Sequence, residues 1–277
     1  MTINPLRYRI GPRRRIGQIL IFALLVAAGC KEDAPDKFQE RKDITGDGGN
    51  SALLISAASS LTNAFQELGP AFTSRTKIPV ILNFGASGQM LRQIEQGAPA
   101  DILASADMNT VDEGIRKSLL DRSRMQFFAR NELLLVTPRD SRVRVPNVYW
   151  LLRDNVKHVA IGDPQFVPAG RYAKWALEEL QLYWLLERKL IPANSVRQAL
   201  QYVVSGEVEA AFVYRTDFKL KEDSLELIQA LRTPPIAYPA ILVRKSKHRK
   251  QSILFLEFLR NAPEARAILD KYGFVHD

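Results

Sequence analysis

The stretch IGDPQFVPAGRYAKWALEEL, residues 161–180, runs a short apolar strand into a turn rich in Pro and Gly and then into an amphipathic helix. Where that helix starts, Pro168, Ala169 and Gly170 offer no nucleophile, no metal ligand and no cation. Only backbone N–H groups remain, and the first turn of a helix leaves those without internal partners. The same strand–turn–helix unit recurs along the chain, and its recurrence decides the fold class.

Short apolar runs that read as strands occur at 52–57, 79–84, 101–106, 131–138, 158–162, 209–214 and 238–245. Between them apolar residues return at helical spacing, as in Leu61, Ala64, Phe65, Leu68, Ala71 and Phe72. Gly69-Pro70 interrupts that helix and is expected to kink or break it. A second helix spans about 87–96 and is closed by Gly97. A third covers 196–206, with Asn194 or Ser195 as its N-cap and Gly206 as its terminator. Two more helices, near 249–260 and 263–271, finish the chain. Strands alternating with single helices predict an α/β protein whose parallel sheets are covered on both faces.

The ends and the charge narrow the class. Arg7, Arg9, Arg13, Arg14 and Arg15 precede an apolar run from Ile19 to Ala28, followed by Gly29-Cys30. This pattern, 1–30, reads as an export signal, too short for a membrane span. Cys30 is the only cysteine of the 277 residues and stands where a lipoprotein signal places its lipidated acceptor, so an intrachain disulfide is excluded. Residues 31–51 are polar, mixed in charge and without apolar periodicity, as expected of a flexible tether. The formal charge of +9 includes the five signal arginines, leaving +4 on the remainder, too little and too scattered to point to nucleic acid. Cys and His clusters with metal-ligand spacing are absent from the sequence, so no free metal cation and no cofactor is expected.

Four helix entrances share one chemistry. Ser59 and Ser60, Ser87 and Gly88, Ala169 and Gly170, and Ser195, Val196 and Arg197 each follow a strand or loop, and their side chains are mostly small. Helix N-termini carry about half a positive charge and bind anions without cationic side chains. Serine is also the commonest N-cap, so each entrance taken alone is better explained by capping. Convergence of the four, with Tyr214 at the end of the strand AAFVY, would make a cage of neutral donors. Periodicity alone leaves that choice open.

The segments SAASSLTNAF, GASGQMLRQIEQGAPADILASAD, IGDPQFVPAGRYAKWAL and AAFVYRTD resemble the periplasmic molybdate-binding proteins of ABC importers, in order and over nearly all of 52–277. The resemblance implies a two-lobed type II periplasmic-binding fold with two crossover strands and the ligand cleft between the lobes. Lobe one would comprise 52–134 plus 240–277 and lobe two 135–239, with crossovers near 132–138 and 238–243. Carried over motif by motif, the oxyanion would be held by the hydroxyls of Ser60 and Ser87, the backbone N–H groups of Ala169 and Val196, and the phenol of Tyr214. Ser59 is the neighbouring alternative to Ser60, and the N–H of Gly88 stands as a further available donor. The turn at 168–170 would be bare so that the anion can reach the backbone. Arg197 and Arg215 are read as a solvated face.

The implied function is capture of molybdate, and of tungstate, outside the cytoplasm for delivery to a membrane permease, by a monomer held to the membrane through Cys30. A donor-only cage suits a dianion that carries no proton. Sulfate shares that requirement, so a binding protein for another tetrahedral oxyanion is the alternative. A surface hydrolase using Ser60 needs a base, and His158, His248 and His276 are the only histidines; no G-x-S-x-G elbow is present.

Overall fold

The computed structural model describes residues 51–275. The signal segment, Cys30 and the tether up to residue 50 lie outside the described residues.

Strand β1 (Leu53–Ala58) leads through a 3-10 turn (Ser59–Leu61) into helix α1 (Thr62–Thr76). There follow β2 (Val80–Gly85), α2 (Ser87–Glu95), β3 (Ile102–Ala104) and α3 (Met108–Arg116). The long strand β4 (Leu120–Pro138) then crosses the molecule. Beyond it lie β5 (Val159–Gly162), α4 (Pro168–Glu179), α5 (Tyr183–Leu186), β6 (Leu190–Ala193), α6 (Val196–Val204), β7 (Ala210–Tyr214) and α7 (Arg215–Leu220). A second long strand, β8 (Leu225–Val243), returns, and α8 (Arg249–Asn261) and α9 (Pro263–Lys271) end the described chain.

The strands follow the order β2-β1-β3-β8-β4-β7-β5-β6. On one flank β1 pairs in parallel with β2 and β3, and on the other β5 pairs in parallel with β6 and β7. In the middle β3–β8, β8–β4 and β4–β7 are antiparallel. The parallel expectation therefore holds for the flanks alone. Two lobes, each a small parallel α/β layer, are joined by the paired crossovers β4 and β8.

Those crossovers are longer than their apolar runs suggest, at 19 residues each. The first half of β4, LDRSRMQFFAR, is charged and half exposed, and β8 contains Pro234 and Pro235. Proline cannot donate to a ladder and is tolerated where pairing is irregular. Here both prolines fall between the pairs Leu133–Leu231 and Asn131–Ile236, at a shift in register.

Gly69-Pro70 does not break α1, which runs through to Thr76. Pro70 and Gln66, whose carbonyl loses its usual donor, are both exposed, so water can replace the missing bond. Phe65, Leu68 and Phe72 on the same helix are fully buried, and Phe72 packs edge-on against Phe255 of α8 at 5.0 Å. Burial of such side chains, about 1.5–3 kcal/mol each, outweighs the helix penalty. The terminators behave as their residue types require: Gly97 and Gly206 adopt φ of 93° and 72°.

Candidate functional site

The segments that follow β1, β2, β3, β5 and β6, together with the end of β7, meet at one place. Ser60, Ser87, Ala169, Val196 and Tyr214 all line one cavity there, together with Ala58, Ser59, Gly85, Ala86, Ala106, Val167 and Pro168. Its atom-free space is about 180 Å³. Its wall carries no Asp, Glu, Lys, Arg or His. Larger grooves, such as the one beside Phe127 and Arg260, are lined by charged side chains as well.

Several polar groups on the wall have a donor to offer. Ser87 is fully buried, and its Oγ accepts the N–H of Ala106 at 3.1 Å, so its own proton remains to be given. Ser60 Oγ lies 2.9 Å from the phenol of Tyr238. Pro168 occupies the first turn of α4 and Ser195 caps α6 by accepting from the N–H of Gln198 at 3.1 Å. Helix geometry leaves the N–H groups of Ala169 and Val196 without an intrahelical acceptor. The Tyr214 phenol is 1% exposed and has no hydrogen-bond partner among the described residues. Leaving such a group unpaired costs about 1–3 kcal/mol, which marks it as a group awaiting an acceptor. Burial, with Tyr238, Tyr172, Asp107 and Asp217 adding to it, pushes the Tyr214 phenol well above its ordinary range, so it stays protonated.

Three expectations need correction. The N–H of Gly88 is not free: it donates across the cleft to Phe166 O at 3.0 Å, and a Cβ there would sit 2.8 Å from that oxygen. The bareness of Gly170 serves packing rather than ligand access, since a Cβ on it would lie 1.8 Å from Gly162 O. Replacing Gly170 with Ala is therefore expected to cost at least about 3 kcal/mol by forcing α4 away from β5. That corresponds to a fall of roughly 6–12 °C in the thermal melt of a domain this size. Arg197 does not belong to a solvated face. Its Nε lies 2.6 Å from Oδ1 of the fully buried Asp217, short of hydrogen-bond alignment and so held by charge. Its guanidinium also donates to Asn63 Oδ1 at 2.9 Å and to Ser60 O at 3.3 Å. Arg215, by contrast, pairs with Glu132 on the exposed surface, as expected.

Sequence reasoning passed over the groups that join the two sides of the cleft. Arg171, one residue beyond the bare turn, reaches Asp107 Oδ2 at 2.7 Å and Thr110 Oγ1 at 2.8 Å. The guanidinium of Arg92 stacks 4.0 Å from the centre of the Phe166 ring. A charged residue immediately after a bare helix start was the available signal. The histidines within the described residues are elsewhere: His248 Nδ1 lies 3.0 Å from Asp101, and the N–H of His158 bonds Glu209. Among the described residues, therefore, no histidine stands beside Ser60. Among the described residues no group of three or more His, Cys, Asp or Glu could hold a metal ion, and no helix is long and apolar enough to cross a membrane.

Comparison with known proteins agrees with this architecture. The Escherichia coli molybdate-binding protein ModA is 33% identical over 80% of this chain and 88% of its own. A Bacillus subtilis protein named as an ABC transporter substrate-binding lipoprotein, YvgL, is 32% identical over 91% of this chain and 94% of its own. The solved Azotobacter vinelandii periplasmic molybdate-binding protein superimposes with a TM-score of 0.70 at 24% identity, over 81% of this chain and 99% of that one, which shows the shared two-lobed fold. The family model described as bacterial extracellular solute-binding protein matches residues 53–275, and the chain belongs to that family.

Proposed function

We propose that this protein captures molybdate, and tungstate, outside the cytoplasm and delivers it to the permease of an ABC importer. The observation that carries the reading is an uncharged cavity lined by serine hydroxyls and helix N-termini, with one buried phenol that has no partner among the described residues. Ser60 and Ser87 would bind from lobe one, 52–134 plus 240–277. Ala169, Val196 and Tyr214 would bind from lobe two, 135–239. The pairing of β3 with the end of β8, and of β7 with the end of β4, is consistent with that division. Closure of the cleft satisfies both half-sets of donors at once. A permanently deprotonated dianion needs nothing but donors, whereas hydrogen phosphate also needs an acceptor for its proton. The names of the relatives support molybdate over sulfate. Anchoring through Cys30 as a lipoprotein and a monomeric state complete the proposal; the name of the B. subtilis relative supports the anchor.

Calorimetric titration with molybdate, tungstate, sulfate and phosphate tests it. Micromolar or tighter binding of the first two, on the order of −8 kcal/mol, is expected. A preference for sulfate would move the protein to another oxyanion system. The Tyr214→Phe variant separates site from scaffold. Its ligand-free melting temperature should match or exceed the parent's, because the lost hydroxyl has no protein partner. Its molybdate affinity should fall about tenfold or more through the loss of one hydrogen bond to a charged group.

A further inference from the structure

We infer that Asn131 and Tyr238, neither of which lines the cavity, act as positioning residues that turn the Ser60 proton toward the cavity and so disfavour oxyanions that carry a proton. The inference rests on the proposed site, and its geometry is a buried chain of four side chains running through the two crossover strands.

The direction of every bond in that chain follows from its first member. The backbone N–H of Glu132 donates to Asn131 Oδ1 at 2.9 Å, which fixes the amide with its nitrogen on the opposite side. Asn131 Nδ2 has two protons and two acceptors: Thr216 Oγ1 at 2.9 Å and the Tyr238 phenol oxygen at 3.2 Å. The Tyr238 oxygen is thus an acceptor toward Asn131, and its single proton must find a partner of its own. Tyr238 is fully buried, and the remaining neighbour is Ser60 Oγ at 2.9 Å. A buried phenolic proton left unpaired is costly, so it is given to Ser60. Burial pushes the Tyr238 phenol well above its ordinary range, so that proton is not lost.

Ser60 Oγ consequently accepts on its protein side, and its own proton points to the cavity. Ser87 is set the same way by the N–H of Ala106. The difference between the two is that the Tyr238 hydroxyl can be removed by a side-chain substitution that leaves the backbone donors intact. A ligand that brings an O–H to this corner meets the Ser60 proton, with one of the two Ser60 lone pairs already taken by Tyr238. Hydrogen phosphate is such a ligand, and fully deprotonated molybdate is not.

The test compares the parent protein with Tyr238→Phe at mildly alkaline pH, where molybdate carries no proton and phosphate keeps one. Phe retains the edge-on contacts that Tyr238 makes with Phe128, Tyr214 and Phe274. Molybdate affinity is read by calorimetry and phosphate affinity by competition against molybdate. In Tyr238→Phe the Ser60 hydroxyl is free to rotate and to offer a lone pair. Molybdate should bind about tenfold more weakly. The ratio of molybdate to phosphate affinity should narrow by at least tenfold. Asn131→Ala, which releases Tyr238 from its acceptor role and lets it accept from Ser60, should weaken molybdate binding and narrow the ratio as well, and it serves where Tyr238→Phe folds poorly. An unchanged ratio in variants that still bind overturns the inference and leaves the molybdate site standing. A parent protein that binds no molybdate overturns the proposed function, and this inference with it.

Discussion

The Ser87→Asp protein, titrated with molybdate in a calorimeter, is expected to show no binding. Ser87 is fully buried at the start of α2, and no charged side chain lies on the cavity wall to compensate an added carboxylate. A carboxylate about 4 Å from a unit negative charge is opposed by roughly 4 kcal/mol at an effective dielectric constant near 20. Against a dianion that becomes about 8 kcal/mol, and the serine donor is lost as well. The sum is comparable with the whole binding energy of a micromolar complex, about −8 kcal/mol. Ser87→Ala is the control: it loses one charge-assisted hydrogen bond, about 1.5–3 kcal/mol, and should bind roughly ten- to a hundredfold more weakly. The aspartate can still accept from Ala106 N–H, so its thermal melt without ligand should remain cooperative. Molybdate affinity within tenfold of the parent in Ser87→Asp would place the ligand somewhere other than this cavity.

The largest effect on stability is expected from Arg197→Met. Asp217 is fully buried, its Oδ2 accepts the N–H of Tyr214 at 3.1 Å, and its other oxygen has only Arg197 at 2.6 Å. Removing one partner of a buried pair leaves an uncompensated charge, a loss of about 3–5 kcal/mol. The same change also removes the bonds from Arg197 to Asn63 and Ser60 O that tie α6 to the start of α1. The pH dependence carries a sign. Burial pushes the Asp217 carboxyl up, and Arg197 is the first of the groups holding it down. Without Arg197 the folded carboxyl rises further above its unfolded value. Such a group favours folding while it is protonated, and that contribution is lost as pH climbs through the raised folded value. The stability gap between variant and parent should therefore be smallest in acid and widen toward neutrality. Adding Asp217→Asn to Arg197→Met removes the stranded charge and should recover most of the loss in denaturant melts. A gap independent of pH, with no recovery in the double variant, would mean that Asp217 is not the group responsible.

How much of this was legible beforehand differs between elements. The strands at 52–57, 79–84 and 158–162 were found within a residue because each is a short apolar run, and β1 and β5 are buried on both faces. Helices α2, α4 and α6 announced themselves through their entrances, and α2 and α6 through the glycines that end them as well. Helix α3, β6 and the outer halves of β4 and β8 did not. The outer half of β4 is charged because it lies against water, and pairing with β8 supplies the order that apolar patterning lacks. Gly69-Pro70 misled for the opposite reason, since a local helix breaker was overruled by the packing of Phe65, Leu68 and Phe72.

The amino-acid sequence by itself determined that the chain is an α/β protein with an export pattern, and which small residues stand at four helix entrances. Those properties are local: each needs only a window of residues and the backbone chemistry of a helix start. Tertiary structure alone decided that the entrances converge on one cavity, that Gly88 N–H is spent on Phe166, and that Gly170 is small for the sake of Gly162. It alone also decided which way each hydroxyl points. Asn131 and Tyr238 are 107 residues apart, and Tyr238 and Ser60 are 178 apart. A hydrogen bond is directional and short-ranged, so its partners exist only once β4 and β8 have brought distant segments within 3 Å of one another.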